Sequence, residues 1–185
     1  MSGDILKNLS PPATPSLEEV RKFMDDAMKG DPAAVTAFLG KYPFAIDQRA
    51  DTGCTTLIHA ACRGQKAIVE LLLDRGAQIN AQTVLSRTTA LMEAACRGHT
   101  ETVKLLLEKG ADMTAVNEEG ETALMVAKRY KREQTAAVLI EQWLEREEMK
   151  QRELAEDRAR EQAARHLEKL KNRRPPQQPL KKNRP

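Results

Sequence analysis

Two cysteines and two histidines form the one spacing in this sequence that resembles a metal-binding motif. Two residues separate His59 from Cys62 and Cys96 from His99, and zinc accepts ligands of these types. The two cysteines hold the same position in two similar segments, however, and packed helices lie about 8–10 Å apart. Zinc holds each sulfur about 2.3 Å away, so the spacing predicts ordinary thiols and no metal.

No other residues indicate catalytic chemistry. The sequence lacks the glycine-rich phosphate loop, G-x-G-x-x-G, G-x-S-x-G and H-E-x-x-H. Beyond His59 and His99 it contains one further histidine, His166, and no pair of carboxylates stands apart from the charged helical surface. The sequence therefore predicts a protein that is not an enzyme and that has no cofactor and no small-molecule substrate.

The composition favours an all-α fold built from small and aliphatic side chains. Aromatic residues make up 3% of the 185 residues, whereas hydrophobic residues make up 41%, and the alternating runs typical of strands are missing. No stretch approaches the roughly 18 apolar residues of a membrane span, and the first ten residues lack the apolar segment of a secretory signal. Three cysteines without an export signal predict reduced thiols and a cytoplasmic location.

A repeated segment occupies the middle of the chain. Residues 55–81 read TTLIHAACRGQKAIVELLLDRGAQINA, and residues 89–115 read TALMEAACRGHTETVKLLLEKGADMTA. At this offset of 34, 14 of the 27 paired positions are identical, and TALMVAKRYKREQTAAVLI repeats the opening from Thr122. In the first two copies glycine stands where helices are expected to end, at Gly64 and Gly76 and at Gly98 and Gly110. A unit of this size buries its apolar face only by stacking against others.

These residues resemble the ankyrin-repeat family, whose pattern is roughly G-x-T-P-L-H-x-A-A-x-x-G-H-x-E-V-V-x-L-L-L-x-x-G-A-D-x-N-A. The resemblance covers nearly all of residues 53–115. It implies antiparallel helix pairs joined by β-hairpin fingers and stacked into a curved solenoid. The histidine of the family's Thr-Pro-Leu-His is replaced in all three copies, by Ile58, Met92 and Met125, so we expect looser turns and modest stability.

The stack is predicted to contain four units with atypical ends. A degenerate capping repeat is expected over residues 16–48, where Ser16 and Glu19 form a capping box. Ankyrin repeats follow at 49–82 and 83–116, and a C-terminal repeat at 117–143. Lys131 replaces the glycine between the helices of this last repeat, and no Gly or Pro occurs from there to Arg174. A charged helical extension is therefore predicted over 144–172, between Pro-rich, disordered ends at 1–15 and 173–185.

The extension is a mixed-charge segment. Glutamate precedes arginine by four residues in the pairs Glu148–Arg152, Glu156–Arg160 and Glu161–Arg165, which is the favourable order on a helix. Its apolar positions keep no sustained heptad, so a solvated single helix is favoured, with a coiled coil or a partner-docking helix as the alternative. Trp143, just before the extension, is expected to seal the last repeat.

The resemblance implies that partners bind in the recess formed by the fingers and the first helices. There, Arg63, Arg97 and Arg129 or Tyr130 would form a ladder suited to an acidic, aromatic-tolerant peptide; ordinary solvated helix ends are the alternative. Leu85 is an apolar residue at a finger tip, which is unusual unless a partner covers it. The predicted partner-binding residues are Asp51, Thr52, Cys54, Cys62, Arg63, Leu85, Arg87, Thr88, Cys96, Arg97, Glu118, Glu119, Arg129 and Tyr130.

The C-terminal tail supports a competing function. The last 17 residues carry +7 and no acid, so the rest of a chain of net charge +3 carries −4. We therefore expect a monomeric cytoplasmic scaffold or adaptor that binds another protein. The alternative is a nucleic-acid- or membrane-associated protein held weakly by this tail, with a nuclear location if the tail is an import signal. The tail residues in question are Arg173, Arg174, Lys181, Lys182 and Arg184.

Overall fold

The computed structural model describes residues 14–49 and 53–171. The predicted disordered tail at 173–185, most of the predicted N-terminal segment, and the candidate site residues Asp51 and Thr52 lie outside these ranges. Within them the chain forms eight α-helices, one short 3-10 helix at Pro43–Ala45 and no named strand. The helices are α1 Leu17–Lys29, α2 Pro32–Lys41, α3 Thr56–Cys62, α4 Lys66–Asp74, α5 Ala90–Arg97, α6 Thr100–Glu108, α7 Ala123–Arg129 and α8 Glu133–Lys171.

The helices are arranged as a stack of repeated pairs. The inner helices, which are α1, α3, α5 and α7, pack side by side in that order. The outer helices α2, α4 and α6 form a second row, each paired with the inner helix before it. The first turns of α8 add Ala136 and Leu139 to the same core. The all-α repeat architecture predicted from the sequence is confirmed.

Small side chains set the spacing of the inner row. Ala60 and Ala61 of α3 and Ala94 and Ala95 of α5 are completely buried, so the helix backbones approach each other closely. Leucine, isoleucine and valine from the outer helices fill the space between the two rows. One continuous core therefore runs through all four units, and each unit depends on its neighbours for burial.

A residue in the left-handed conformation follows each inner helix. In chain order the φ angles are 78° at Gly30, 69° at Gly64, 80° at Gly98 and 56° at Lys131. A Cβ atom on Gly64 would lie 2.6 Å from His99 Nδ1. Glycine is thus required at this position both by the backbone and by a side chain of the next unit.

In the second, third and fourth units, the residue after the left-handed position links its unit to the preceding one. Gln65, His99 and Arg132 each place a side-chain nitrogen on a backbone carbonyl at the end of the previous inner helix. The acceptors are the carbonyl oxygens of Met28, Cys62 and Cys96, at 3.0, 3.1 and 2.9 Å, with His99 donating in the tautomer protonated at Nε2. These bonds fix the register of successive units.

Threonine caps the inner helices α3, α5 and α7. The hydroxyl oxygens of Thr55, Thr89 and Thr122 each accept a hydrogen bond from the backbone N–H three residues later, at 3.3–3.4 Å. Arg49–Thr55 and Gln82–Thr89 form isolated β-bridges at the bases of two fingers. The expected β-hairpin fingers are therefore paired at single bridges within the described residues.

The predicted capping box at the start of α1 is confirmed, and it extends to α2. Ser16 Oγ accepts from Glu19 N at 3.2 Å, and Glu19 Oε2 accepts from Ser16 N at 2.9 Å. Glu19 Oε1 accepts from Lys41 Nζ at 2.9 Å and from Tyr42 Oη at 2.8 Å. The backbone bond from Ser16 and then those from Lys41 and Tyr42 lower the pKa of Glu19 from 4.5 to about 2.

Replacing Glu19 by glutamine is expected to remove a pH-dependent part of the stability. Because the pKa of Glu19 is lowered on folding, its stabilisation is complete above pH 4.5 and is lost as the pH falls toward 2. The urea midpoint of the natural protein should exceed that of Glu19→Gln above pH 4.5, and the two should converge near pH 2. A difference that stays constant from pH 6 to pH 2 would contradict this assignment.

Helix α8 has 39 residues, as the absence of Gly and Pro predicted. The chain divides into two compact units, one ending at Trp143 and the other beginning at Leu144. In the second unit Arg160 lies 3.6 Å from Glu156, and Arg165 lies 2.7 Å from Glu161. In the described part of the chain no helix is both long and apolar enough to cross a membrane.

Trp143 covers the last repeat only in part. Its side chain is 50% exposed. With Met113, Leu124 and Leu139 it lines an apolar recess of about 360 Å³. The predicted seal is therefore partial, because one indole does not replace the pair of helices that a further unit would contribute.

Candidate functional site

The predicted partner-binding residues lie at two different ends of the inner helices. Thr88 and Glu118 belong to the fingers that precede α5 and α7, whereas Arg63 and Arg97 lie at the opposite ends of α3 and α5. The eight residues of α5 span about 12 Å. The predicted set is therefore two patches rather than one site. The finger patch lies around Thr88 and Glu118, and the turn patch lies around Arg63 and Arg97.

The finger before α5 is an ordered loop that exposes apolar side chains. Val84 and Leu85 are 65% and 80% exposed. Below them the hydroxyl of Ser86 lies 2.8 Å from Thr83 Oγ1 and 2.9 Å from Thr88 Oγ1. Thr88 N also donates to Thr83 Oγ1 at 2.9 Å. These bonds fix the loop, so the apolar tip is held out of the core by its own backbone.

Adjacent fingers are connected to each other. Glu118 N donates to the carbonyl of Ser86 at 3.0 Å. Arg49, at the base of the preceding finger, donates from Nη1 to the carbonyl of Gln82 at 2.7 Å, and within the finger Arg87 donates from Nε to Gln82 Oε1 at 3.4 Å. The finger patch, formed by Cys54, Val84, Leu85, Arg87, Thr88, Glu118 and Glu119, is thus a continuous surface across neighbouring units.

Arg129 does not continue the predicted arginine ladder. Its guanidinium forms ion pairs with Glu119, at 3.4 Å, and with Glu121. The same group lies 5.4 Å from the centroid of the Tyr130 ring. Arg129 is therefore drawn toward the finger of its own unit, and Tyr130 is left half-exposed beside it.

Arg63 and Arg97 border a recess of about 580 Å³ at the turn end of the inner helices. Its other lining residues are Met28, His59, Cys62 and His99. Contact with Cys62 is the main cause of the raised pKa of Arg97. The structure therefore brings Cys62, Arg63 and Arg97 together as predicted, with Cys96 one unit further along the same edge.

Cys62 and His59 of this recess are poorly suited to nucleophilic chemistry. Burial, with a smaller contribution from Glu93, raises the pKa of the Cys62 thiol. Burial also lowers the pKa of His59, against the opposing charge of Glu93. Both groups are therefore neutral near pH 7. Among residues 14–49 and 53–171, no group of three His, Cys, Asp or Glu side chains could hold a metal ion.

A second recess contains cations that the sequence prediction missed. It has a volume of about 310 Å³ and shares Arg97 with the first recess. Its basic residues also include Lys131 and Arg132, which follow directly after α7 and Tyr130. Their place one and two residues after the predicted ladder position was visible in the sequence, but the curvature of the turn was needed to place them beside Arg97.

Comparison with known proteins identifies a family and relatives of this chain, among them two hydrolases. The family described as "Ankyrin repeats (3 copies)" matches residues 23–117 and 83–152. Two proteins described as "NAD-capped RNA hydrolase NUDT12", from Pongo abelii and Macaca fascicularis, are 36% and 35% identical over 63 residues. Those residues are 34% of this chain, and the chain spans 14% of the length of either relative.

Proposed function

Since this chain belongs to the ankyrin-repeat family, we propose that it is a non-enzymatic scaffold or adaptor that binds one partner protein through the inner-helix side of its stack. Repeats of this family generally mediate protein–protein interaction. The binding surface would combine the finger patch with the turn patch around Arg63 and Arg97. The chain would act as a cytoplasmic monomer without a cofactor or a small-molecule substrate.

The apolar finger tip is the observation that carries this proposal. Leu85 is 80% exposed although the loop around it is ordered by the hydroxyl groups of Thr83, Ser86 and Thr88. An exposed leucine on a fixed loop gains free energy when a partner covers it, and little ordering entropy is lost in return. A protein partner with an apolar pocket or groove fits this tip.

The rigidity of the stack supports the same proposal. Side-chain bonds from Gln65, His99 and Arg132 tie each unit to the preceding one. A surface assembled from several such units is already in its binding shape, which reduces the entropic cost of association. The hydrolase activity in the names of the two relatives is not part of the proposal, because the chain spans 14% of either.

The basic tail supports the one alternative function that we retain. With +7 in its last 17 residues, the tail would bind nucleic acid or an acidic membrane, and the repeats would only carry the tail. Deleting residues 172–185 removes most of this charge and leaves every described helix intact. The two functions therefore predict opposite results for one variant.

Affinity capture with the full-length chain tests the proposal. A partner protein identified by mass spectrometry should be retained by the natural chain and by the chain lacking residues 172–185. It should be lost with Leu85→Asp, because the carboxylate must be desolvated in the interface. Direct titration with the purified partner should show at least about a tenfold weaker Kd for Leu85→Asp.

Leu154→Asp is the matched control, because Leu154 is an exposed leucine of α8 outside the proposed surface. It should bind as the natural chain does. Loss of capture on tail deletion, with Leu85→Asp unaffected, would overturn the proposal in favour of the tail-bound alternative. Loss with Leu154→Asp alone would place the interface on the helical extension instead.

A further inference from the structure

The turn edge of the stack carries two neighbouring recesses with a shared wall. The first, of about 580 Å³, lies between the ends of α3 and α5, and the second, of about 310 Å³, lies between the end of α5 and the start of α8. Arg97 lines both. The recesses are one repeat apart, so they form a short row along the turn ends of the second, third and fourth units.

The cations of this row lack ion-pair partners among the described residues. Arg63, Arg97, Lys131 and Arg132 form no ion pair within the described residues. Arg132 donates from Nε to the carbonyl of Cys96 and lines the second recess. By contrast, the cation of Arg129 is paired with two glutamates. The turn edge therefore brings together four cations that form no ion pair with described residues.

We propose that this turn edge, from Arg63 through Arg97 to Lys131 and Arg132, binds an acidic segment of the partner protein. The inference rests on the proposed function, since it names the chemistry of part of the same partner. Neighbouring helices are about 8–10 Å apart, and three residues of a polyproline-type chain cover about 9 Å on one face. Acidic residues spaced three apart would thus place one carboxylate in each recess.

A peptide fits the edge better than a nucleic acid does. Glu93 lies close enough to Cys62 and Arg97 to affect the pKa of both, and Glu133 lines the second recess. A nucleic-acid strand carries one negative charge about every 3.4 Å, so its phosphates could not avoid these carboxylates. A segment with widely spaced acids can. Met28 and Cys62 in the first recess also offer contact to its methylene groups.

The turn of the second repeat unit shows what the turn after α7 would be without its charges. Gly64 and Gln65 hold the positions in the second unit that Lys131 and Arg132 hold in the fourth, and Gln65 donates to the Met28 carbonyl at 3.0 Å. The double variant Lys131→Gly/Arg132→Gln therefore removes two positive charges and keeps a left-handed residue and a side-chain donor. Its thermal midpoint should be no lower than that of the natural protein.

Fluorescence anisotropy with full-length protein tests the inference. The probe is a labelled twelve-residue peptide of four Glu-Pro-Pro repeats, compared with four Gln-Pro-Pro repeats. We expect the glutamate peptide to bind more tightly, to weaken with salt, and to lose about tenfold in affinity with Lys131→Gly/Arg132→Gln, since each exposed ion pair contributes a few-fold. Arg75→Gln, at an exposed cation after α4, should leave binding unchanged.

Three results would overturn the inference. They are equal binding of the two peptides, equal affinity of the natural protein and the double variant, and tighter binding of a twelve-nucleotide oligothymidylate than of the glutamate peptide. Titration with the captured partner distinguishes failure of this inference from failure of the proposed function. If the double variant binds that partner with unchanged affinity, the acidic-segment inference alone fails. If Leu85→Asp binds it unchanged, the proposed function fails at the finger patch.

Discussion

Replacing Leu106 by alanine is expected to lower the free energy of unfolding by about 3 kcal/mol. Leu106 lies in α6 and is completely buried in the core that joins the units. The alanine would lose the transfer free energy of the missing carbons and would leave a cavity that the packed helices fill only in part. Urea denaturation followed by circular dichroism at 222 nm would measure the change.

Leu154→Ala is the control for this substitution. The same atoms are removed, but Leu154 lies in the part of α8 that follows Leu144, outside the stack, and is 45% exposed. The free energy of unfolding should therefore change by less than about 0.5 kcal/mol. If the two variants lose similar stability, the stack does not depend on burial between its units. Because stability in repeat stacks is shared between neighbours, Leu106→Ala could also broaden the transition.

Replacing Gly64 by alanine is expected to cost about 3 kcal/mol. The left-handed φ of 69° costs a residue with a Cβ about 1–2 kcal/mol. The new methyl group would also lie 2.6 Å from His99 Nδ1, so the imidazole must move and weaken its contact with the Cys62 carbonyl. Loss of that hydrogen bond adds about 1 kcal/mol.

Gly110→Ala separates the two causes of the stability loss expected for Gly64→Ala, which are the left-handed backbone and the contact with His99. Gly110 has a φ of 92°, but no atom lies within 4 Å of the position that its Cβ would take. It should therefore show only the backbone cost, about 1–2 kcal/mol. Thermal and urea denaturation of the two variants would give the difference. Equal losses would mean that the His99 ring yields without cost and does not lock the units together.

The contrast between these glycines also explains why a lysine is tolerated at position 131. A side chain at Gly64 or Gly98 would meet His99 or Arg132 of the following unit. Lys131 belongs to the last unit, so no later unit within the described residues supplies such a neighbour, and only the backbone cost of a φ of 56° remains. The sequence showed that this glycine was missing; the stacking shows why its loss is tolerated.

Arg129 illustrates what spacing along the chain does not predict. Tyr130 is the strict repeat equivalent of Arg63 and Arg97, eight residues after its capping threonine, and the predicted ladder admitted its neighbour Arg129 as the alternative. The direction of the long Arg129 side chain was decided by Glu119 and Glu121, which reach it from the finger of the same unit. The free cations near Arg97 are Lys131 and Arg132 instead. No periodic pattern marks them, since they occupy positions that are glycine and a polar linker in the other units.

The sequence by itself determined the repeat architecture of this protein. The 34-residue period, the glycine stops, the capping box at Ser16 and the uninterrupted α8 follow from local rules on helix termini and apolar spacing, and the structure reproduces them. Only the tertiary structure decided which charges remain available and how the candidate site divides into finger and turn patches. Those outcomes depend on side chains from different units meeting across the stack, at distances that no spacing along one chain encodes.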